Sequence, residues 1–278
     1  MTYSPRKLEV ESVERAIQVW TKDLPRPLVD LSRLERLDLF AAVLLVLLAR
    51  RCQEQGGRLR VLLPRKEAVR SLLAAPGIAR LLREAVWTEE AWPELGPSTT
   101  LVDLVEVGEE EGVTRLVDNL VERLRERFPL GEEGTNFLAG AMFELFQNIP
   151  QHAHLTEDDA PPFGVSGVQE LEDHIHLVVA DKGVGLARSL STTPHYRGLT
   201  DAAALDAVLV RGASRFDRPG RGGALRRIRE LVLRNAGALF VRSGTGALWQ
   251  AEVEWVVEEV HPFPGVQVSI RLPRRLFE

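Results

Sequence analysis

Hydrophobic and polar positions along the chain fall into two regions, separated by a stretch that follows neither period. Residues 88–100 (TEEAWPELGPSTT) carry two prolines and no helical or strand repeat, which predicts a linker. Ahead of it, 27–32 (PLVDLS) is a short apolar run suited to a buried strand. Asp38 is placed to cap a helix running to about Gln55, with Gly56 and Gly57 as its stop. That helix is apolar almost all round, so burial on more than one side is expected. Residues 58–64 (RLRVLLP) predict a second strand, and 65–84 a helix broken at Pro76-Gly77. Strands alternating with helices predict a small α/β domain over residues 1–96.

Beyond the linker, 99–107 (TTLVDLVEV) predicts a strand and 109–127 a helix. Pro129 and Gly131 punctuate before a second helix over 135–154. Residues 174–181 (HIHLVVAD) predict a strand. A long loop-rich stretch, 186–219, follows, with one helical patch at 202–210. A helix is then expected from Gly223 to about Asn235. Three strands close the pattern: 238–243, 248–257 and 266–272. In the second, Trp249, Ala251, Val253 and Trp255 alternate with Gln250, Glu252 and Glu254. In the third, Val266, Val268, Ile270 and Leu272 alternate with Gln267, Ser269 and Arg271. Such alternation predicts antiparallel sheet with one face covered and one wet. The second region, 97–278, is thus expected to be an α+β domain.

Composition narrows the classes. The 278 residues are 45% hydrophobic and 27% charged, an ordinary globular mixture in which disorder is not expected. A net charge of -5 argues against nonspecific nucleic-acid binding, which needs a clustered basic surface. The longest apolar run, 39–49, falls well short of the ~20 residues a bilayer helix needs, and the N-terminus lacks the apolar core of a signal peptide. Cys52, alone, excludes an internal disulfide and a cysteine-based zinc site. The expectation is a soluble, cytoplasmic protein, with no membrane and no nucleic-acid partner.

Three segments of the second region carry candidate chemistry. In ELFQNIPQHA, Glu144 and Asn148 are four apart and share a helical face, a carboxylate beside an amide that suits a hydrated magnesium ion. A solvated polar stripe has the same pattern. In DKGVG, alternation places Asp181 on the apolar face of Ile175, Leu177 and Val179, with His174 and His176 on the other. A carboxylate ending an apolar face costs desolvation unless it finds a donor, and the exocyclic amino group of a purine is one. Gly183 and Gly185 let the backbone turn and approach a flat ring; a plain strand-ending turn is the competing reading. In RPGRGGAL, glycines at a helix N-terminus free N–H groups for an anion, although neither a GK[ST] ending nor GxGxxG spacing is present.

Taken together and in this order, the three segments resemble the GHKL superfamily of ATPases and kinases. ELFQNIPQHA is similar to its N-box, DKGVG to its adenine box, and GRGGAL to its phosphate-binding glycine box, while GVQVSIRLP resembles the closing strand of anti-sigma-type kinases. The resemblance implies a Bergerat fold, a two-layer α/β sandwich with a mixed, mostly antiparallel sheet, binding ATP and Mg2+. It makes Asp181 the adenine ligand, with Gly183 and Gly185 shaping the pocket and Ser214 near the adenine. Asn148 becomes the magnesium ligand and Glu144 the base orienting the attacking water. Gly220, Gly222 and Gly223 would cradle phosphates under a lid, 186–219. Gln151 stands where the family has a basic residue, Ala224 where it has a third glycine, and Pro150 lies inside the N-box helix. The first region resembles a STAS domain, without the acceptor serine of STAS antagonists. Asp38-Leu-Phe-Ala occupies that stretch, and Ser32 is expected to be a turn residue.

The resemblance implies an ATP-binding signalling protein, an ATPase or serine/threonine-kinase-like enzyme coupled to the STAS-like domain. The alternative is a non-enzymatic regulator whose ATP state controls a protein partner; a homodimer is left open. Other candidates are a histidine cluster of His152, His154, His174 and His176 as a metal site, and Trp249 with Trp255 as core or interface rather than base-stacking platforms. Glu109 to Glu111 are expected to be a solvated helix start.

Overall fold

The computed structural model describes residues 3–97, 100–107, 110–128, 132–152, 162–215, 223–251 and 254–278. The chain is mixed α/β and divides into two compact units, 1–105 with 167–169, and 106–166 with 170–278.

The first unit runs β1 (Lys7–Leu8), α1 (Val13–Trp20), β2 (Leu28–Asp30), β3 (Arg36–Leu37), α2 (Leu39–Glu54), β4 (Leu59–Leu62), α3 (Glu67–Leu73), α4 (Pro76–Leu82) and β5 (Val86–Trp87). A parallel sheet in the order β2-β4-β5 is its centre, with β1 and β3 forming a separate parallel pair. Every residue from Leu39 to Ala49 is buried, which is why α2 carries no polar stripe. Asp38 caps it: Oδ1 accepts from Ala41 N at 2.9 Å, and Oδ2 accepts from Val10 N at 2.9 Å. Gly56 then adopts the left-handed conformation (φ 71°) that ends the helix. The break expected at Pro76-Gly77 divides 65–84 into two helices, with Pro76 opening α4. Ser32 is the turn residue expected, its N–H and hydroxyl both donating to Asp30 Oδ1.

The rest of the chain runs β6 (Val102–Val107), α5 (Glu110–Arg127), α6 (Glu132–His152), β7 (Gly164–Glu170), β8 (His174–Asp181), α7 (Gly185–Leu190), α8 (Asp201–Leu209), α9 (Ala224–Arg234), β9 (Ala238–Ala251) and β10 (Glu254–Pro273). The five strands form one sheet in the order β6-β7-β8-β10-β9, with β10 antiparallel to both β8 and β9. Its register places Leu177, Ile270 and Leu239 on one rung, and Val179, Val268 and Val241 on the next, so one face is continuously apolar. β7 was not among the expected strands.

Two expectations are corrected. The strand over 248–257 is instead the closed end of a hairpin: Ala251 pairs with Glu254, Gln250 with Trp255 and Trp249 with Val256. Trp249 and Trp255 therefore lie on opposite faces rather than one. Trp249 packs on Phe240 with ring centroids 4.0 Å apart, and the Arg229 guanidinium lies over Trp255. Within the stretch 186–219, α8 is the helical patch expected at 202–210, and α7 is a helix the loop-rich reading left out. In α8, Ala204, Leu205, Ala207, Val208 and Leu209 are buried. The apolar sequence DAAALDAVL packs on β9. Asp201, the first residue of α8, pins it there, accepting from both the N–H and the hydroxyl of Thr245.

Candidate functional site

β8 delivers Asp181 to the end of the apolar face, as alternation predicted, because the strand keeps an unbroken register with β10 up to Ala180 opposite Gln267. Asp181 is 8% exposed. Its Oδ1 accepts from Gly183 N at 2.7 Å and from Val266 N at 3.3 Å; Oδ2 receives no hydrogen bond among the described residues. Burial lifts this carboxyl to about 7, against the opposing pull of the two backbone donors. Gly183 is thus a brace for the acid. Gly185 takes φ 79° to open α7, and a side chain there would stand 3.0 Å from Ser243 Oγ.

Ser243 was missed as a site residue. It is fully buried, lies opposite Val266 on the rung beside Asp181, and its hydroxyl accepts from Leu186 N at 2.8 Å. The signal was available: Ser243 ends the apolar alternation Leu239, Val241 just as Asp181 ends its own strand.

α6 runs over this end of the sheet. Ile149 Cδ1 sits 2.5 Å from where a Cβ on Gly164 would be, and Ala180 O sits 3.1 Å from the same point. That close approach anchors the helix one residue from Asp181. Asn148, adjacent in sequence, is half-buried, and Glu144 lies one turn back on the same face. The helix continues through Pro150 to His152. Glu144 is part of an exposed ion pair: Arg227 Nη2, from the first turn of α9, donates to its Oε1 at 3.1 Å. Arg227 is a second residue that the sequence reading passed over.

Gly223 is the N-cap of α9 and adopts φ 71°, with the left-handed Gly212 packed against it. Ser214 is half-buried in the segment after Gly212, which is tied to α8 by the bond from Ala213 N to Ala207 O at 2.8 Å. Gly220 and Gly222 lie outside the described residues, so the glycine cradle is represented by Gly223 alone.

Of the four candidate histidines, only His174 and His176 have described side chains, and each has its own partner. His176 is fully buried and hydrogen-bonded to Ser269 Oγ at 2.8 Å, its imidazole held neutral by desolvation and then by the nearby Arg271 charge. His174 pairs instead with Asp173. His154 and the side chain of His152 lie outside the described residues. No group of three or more His, Cys, Asp or Glu is placed to hold a metal ion among the described residues. Nor, among them, is any helix long and apolar enough to cross a membrane.

The geometry therefore unites Asp181, Gly183, Gly185 and Ser243 at the end of β8, and sets Asn148 and Glu144 on the helix anchored beside them. No protein-family model matches this chain and no curated protein matches it, so the case for the site rests on these residues and their arrangement.

Proposed function

We propose that the second unit is a Bergerat-type domain that binds ATP, with Asp181 accepting from the adenine amino group. The observation that carries this reading is the state of the Asp181 carboxyl: Oδ1 is held by two backbone donors, while Oδ2 has no donor among the described residues and is left open at the end of an apolar, glycine-lined face. An open oxygen on an otherwise buried carboxyl is placed to accept from a ligand N–H. The residues also fit a magnesium ion, for which Asn148 would supply an oxygen and which would offset phosphate charge. Gly223, at the start of α9, lies where phosphate would meet backbone N–H groups. The first unit, read as STAS-like, would couple this domain to a signalling protein partner.

Two activities follow from the same site. Released from Arg227, Glu144 orients a water or a hydroxyl for phosphoryl transfer, giving an ATPase or a kinase. Held by Arg227, it does neither, and the chain is an ATP-dependent regulator that binds a partner; the Glu144–Arg227 pair favours this second reading for the ligand-free protein.

Calorimetry with ATP and GTP is the first test. Asp181→Asn should cost about 2–4 kcal/mol of ATP binding, because an acceptor specific for the amino group becomes a partial donor. Equal affinity for the two nucleotides would sink the adenine assignment. Asn148→Ala should abolish magnesium-dependent binding, whereas Glu144→Ala should retain binding and lose any turnover, seen as free phosphate or phosphoprotein from labelled ATP.

A further inference from the structure

One of the two donors to the Asp181 carboxyl comes from another strand, at a bulge in β10. The bulge lies at 264–266, where the pairing with β9 shifts register, and three observations bear on how it is kept in place. Gly265 has φ 83°, and a Cβ there would fall 2.0 Å from the carbonyl oxygen of Asp181. The bulge therefore lies hard against the end of β8, at a separation only glycine permits. Val266, the next residue, then offers its N–H to Asp181 Oδ1.

The second observation is Gln267, fully buried on the face of β10 opposite Val266. Its Nε2 donates one hydrogen to Asp181 O at 3.0 Å and the other to Pro264 O at 2.8 Å. Its Oε1 accepts from Arg242 Nη1 at 3.3 Å. Both amide hydrogens and the amide oxygen are engaged, so the orientation is fixed: a flipped amide would face two carbonyls with its oxygen. The third is Arg242 itself, fully buried, which also donates from Nη2 to His261 O at 2.7 Å and lies over the Phe263 ring. The guanidinium holds Gln267, and Gln267 staples the end of β8 to the bulge that carries Val266.

We propose that Gln267, oriented by Arg242, is a positioning residue for Asp181, setting its carboxyl for the ligand from the opposite face of the sheet. This rests on the reading of Asp181 as the acceptor for a ligand amino group, and it assigns to Gln267 no contact with that ligand. Without the staple, the bulge parts from β8, the long Val266 bond breaks and water reaches the carboxyl. Burial is the larger influence on this group and the two backbone bonds the smaller, so hydration prevails and the acid titrates lower.

The test is a titration of the Asp181 carboxyl by carbon-13 NMR in the ligand-free full chain, with Asp181→Asn to assign the resonance. Wild type is compared with Gln267→Leu, and with Gln267→Asn, whose shorter amide cannot reach all three partners. The expected result is a midpoint lower by about one unit or more in Gln267→Leu, and lower by less in Gln267→Asn. A midpoint unchanged or higher in the folded variants overturns the proposal; if Gln267→Leu does not fold, Gln267→Asn decides by the same readout. At pH 8.5, Gln267→Leu should also lose about tenfold in ATP affinity, and wild-type affinity there would overturn the proposal too. If wild type itself binds no ATP, the nucleotide reading alone fails, and the titration still decides whether Gln267 positions the acid.

Discussion

Burial raises the Asp181 carboxyl from 3.8 to about 7, and under the proposed function this single group would link stability to binding with opposite signs. Between about pH 4 and 7 the folded chain keeps a proton that the unfolded chain has released, so stability falls as pH rises through that window and levels off above it. A shift of that size amounts to at most about 4 kcal/mol, one unit being 1.36. Asp181→Asn, which never ionises, should therefore gain on wild type in urea-unfolding free energy between pH 4 and 8. A constant difference between the two across that range would contradict the burial argument. Ligand binding runs the other way, since only the ionised form accepts from an amino group without first losing a proton. ATP affinity of wild type should rise as pH increases from 6 to 8, and calorimetry that finds it flat would exclude Asp181 as the acceptor. The site is thus built on a group whose useful form destabilises the fold that holds it.

Among the elements, those with a strong and uninterrupted period were legible and those with short or shared signals were not. α2 is plain because eleven consecutive apolar residues admit no exposed face, and β8 because its alternation ends on a charge. α1 does carry Val13, Ala16, Ile17 and Trp20 at helical spacing, but over only two turns. β7, GVSGVQE, is buried through its glycines and serine, side chains too small to write an apolar stripe. The end of the hairpin deceived for a different reason: the alternation of 248–251 continues in phase through 254–257, so a reversal looks like one strand. The site shows the same division. Asp181 was legible from its place on the strand, whereas Arg227, Ser243 and Gln267 act through contacts between distant segments, which no period records. At this scale the pin between α8 and β9 is open to test. Asp201→Ala removes two hydrogen bonds to Thr245 and should cost about 1 kcal/mol in denaturant unfolding, with faster proteolytic cleavage within 190–212. Cleavage no faster than in wild type would mean that burial of Leu205 and its neighbours holds α8 unaided.

Over the whole chain, the two compact units differ in how their sheets are wired. In the first, the strands of the parallel sheet follow one another in space as they do in sequence, β2, β4, β5. In the other sheet the order is β8-β10-β9, so the strand that comes last in sequence is the one that joins its neighbours. A chain ended at residue 251 retains β8 and β9 but not the strand between them. It should lose the far-ultraviolet strand signal of this sheet and the protease resistance of the second unit; a resistant fragment spanning 106–251 would show that the sheet closes another way. During synthesis on the ribosome the same wiring imposes a wait. Until residues 254–273 have left the exit tunnel, β8 and β9 present unpaired backbone edges to everything around them, which is the condition under which strands pair wrongly or between molecules. The second unit is thus exposed to misassembly for the whole interval between the emergence of Asp181 and that of Pro273, and its yield in cells should depend on the chaperones that shield nascent strands.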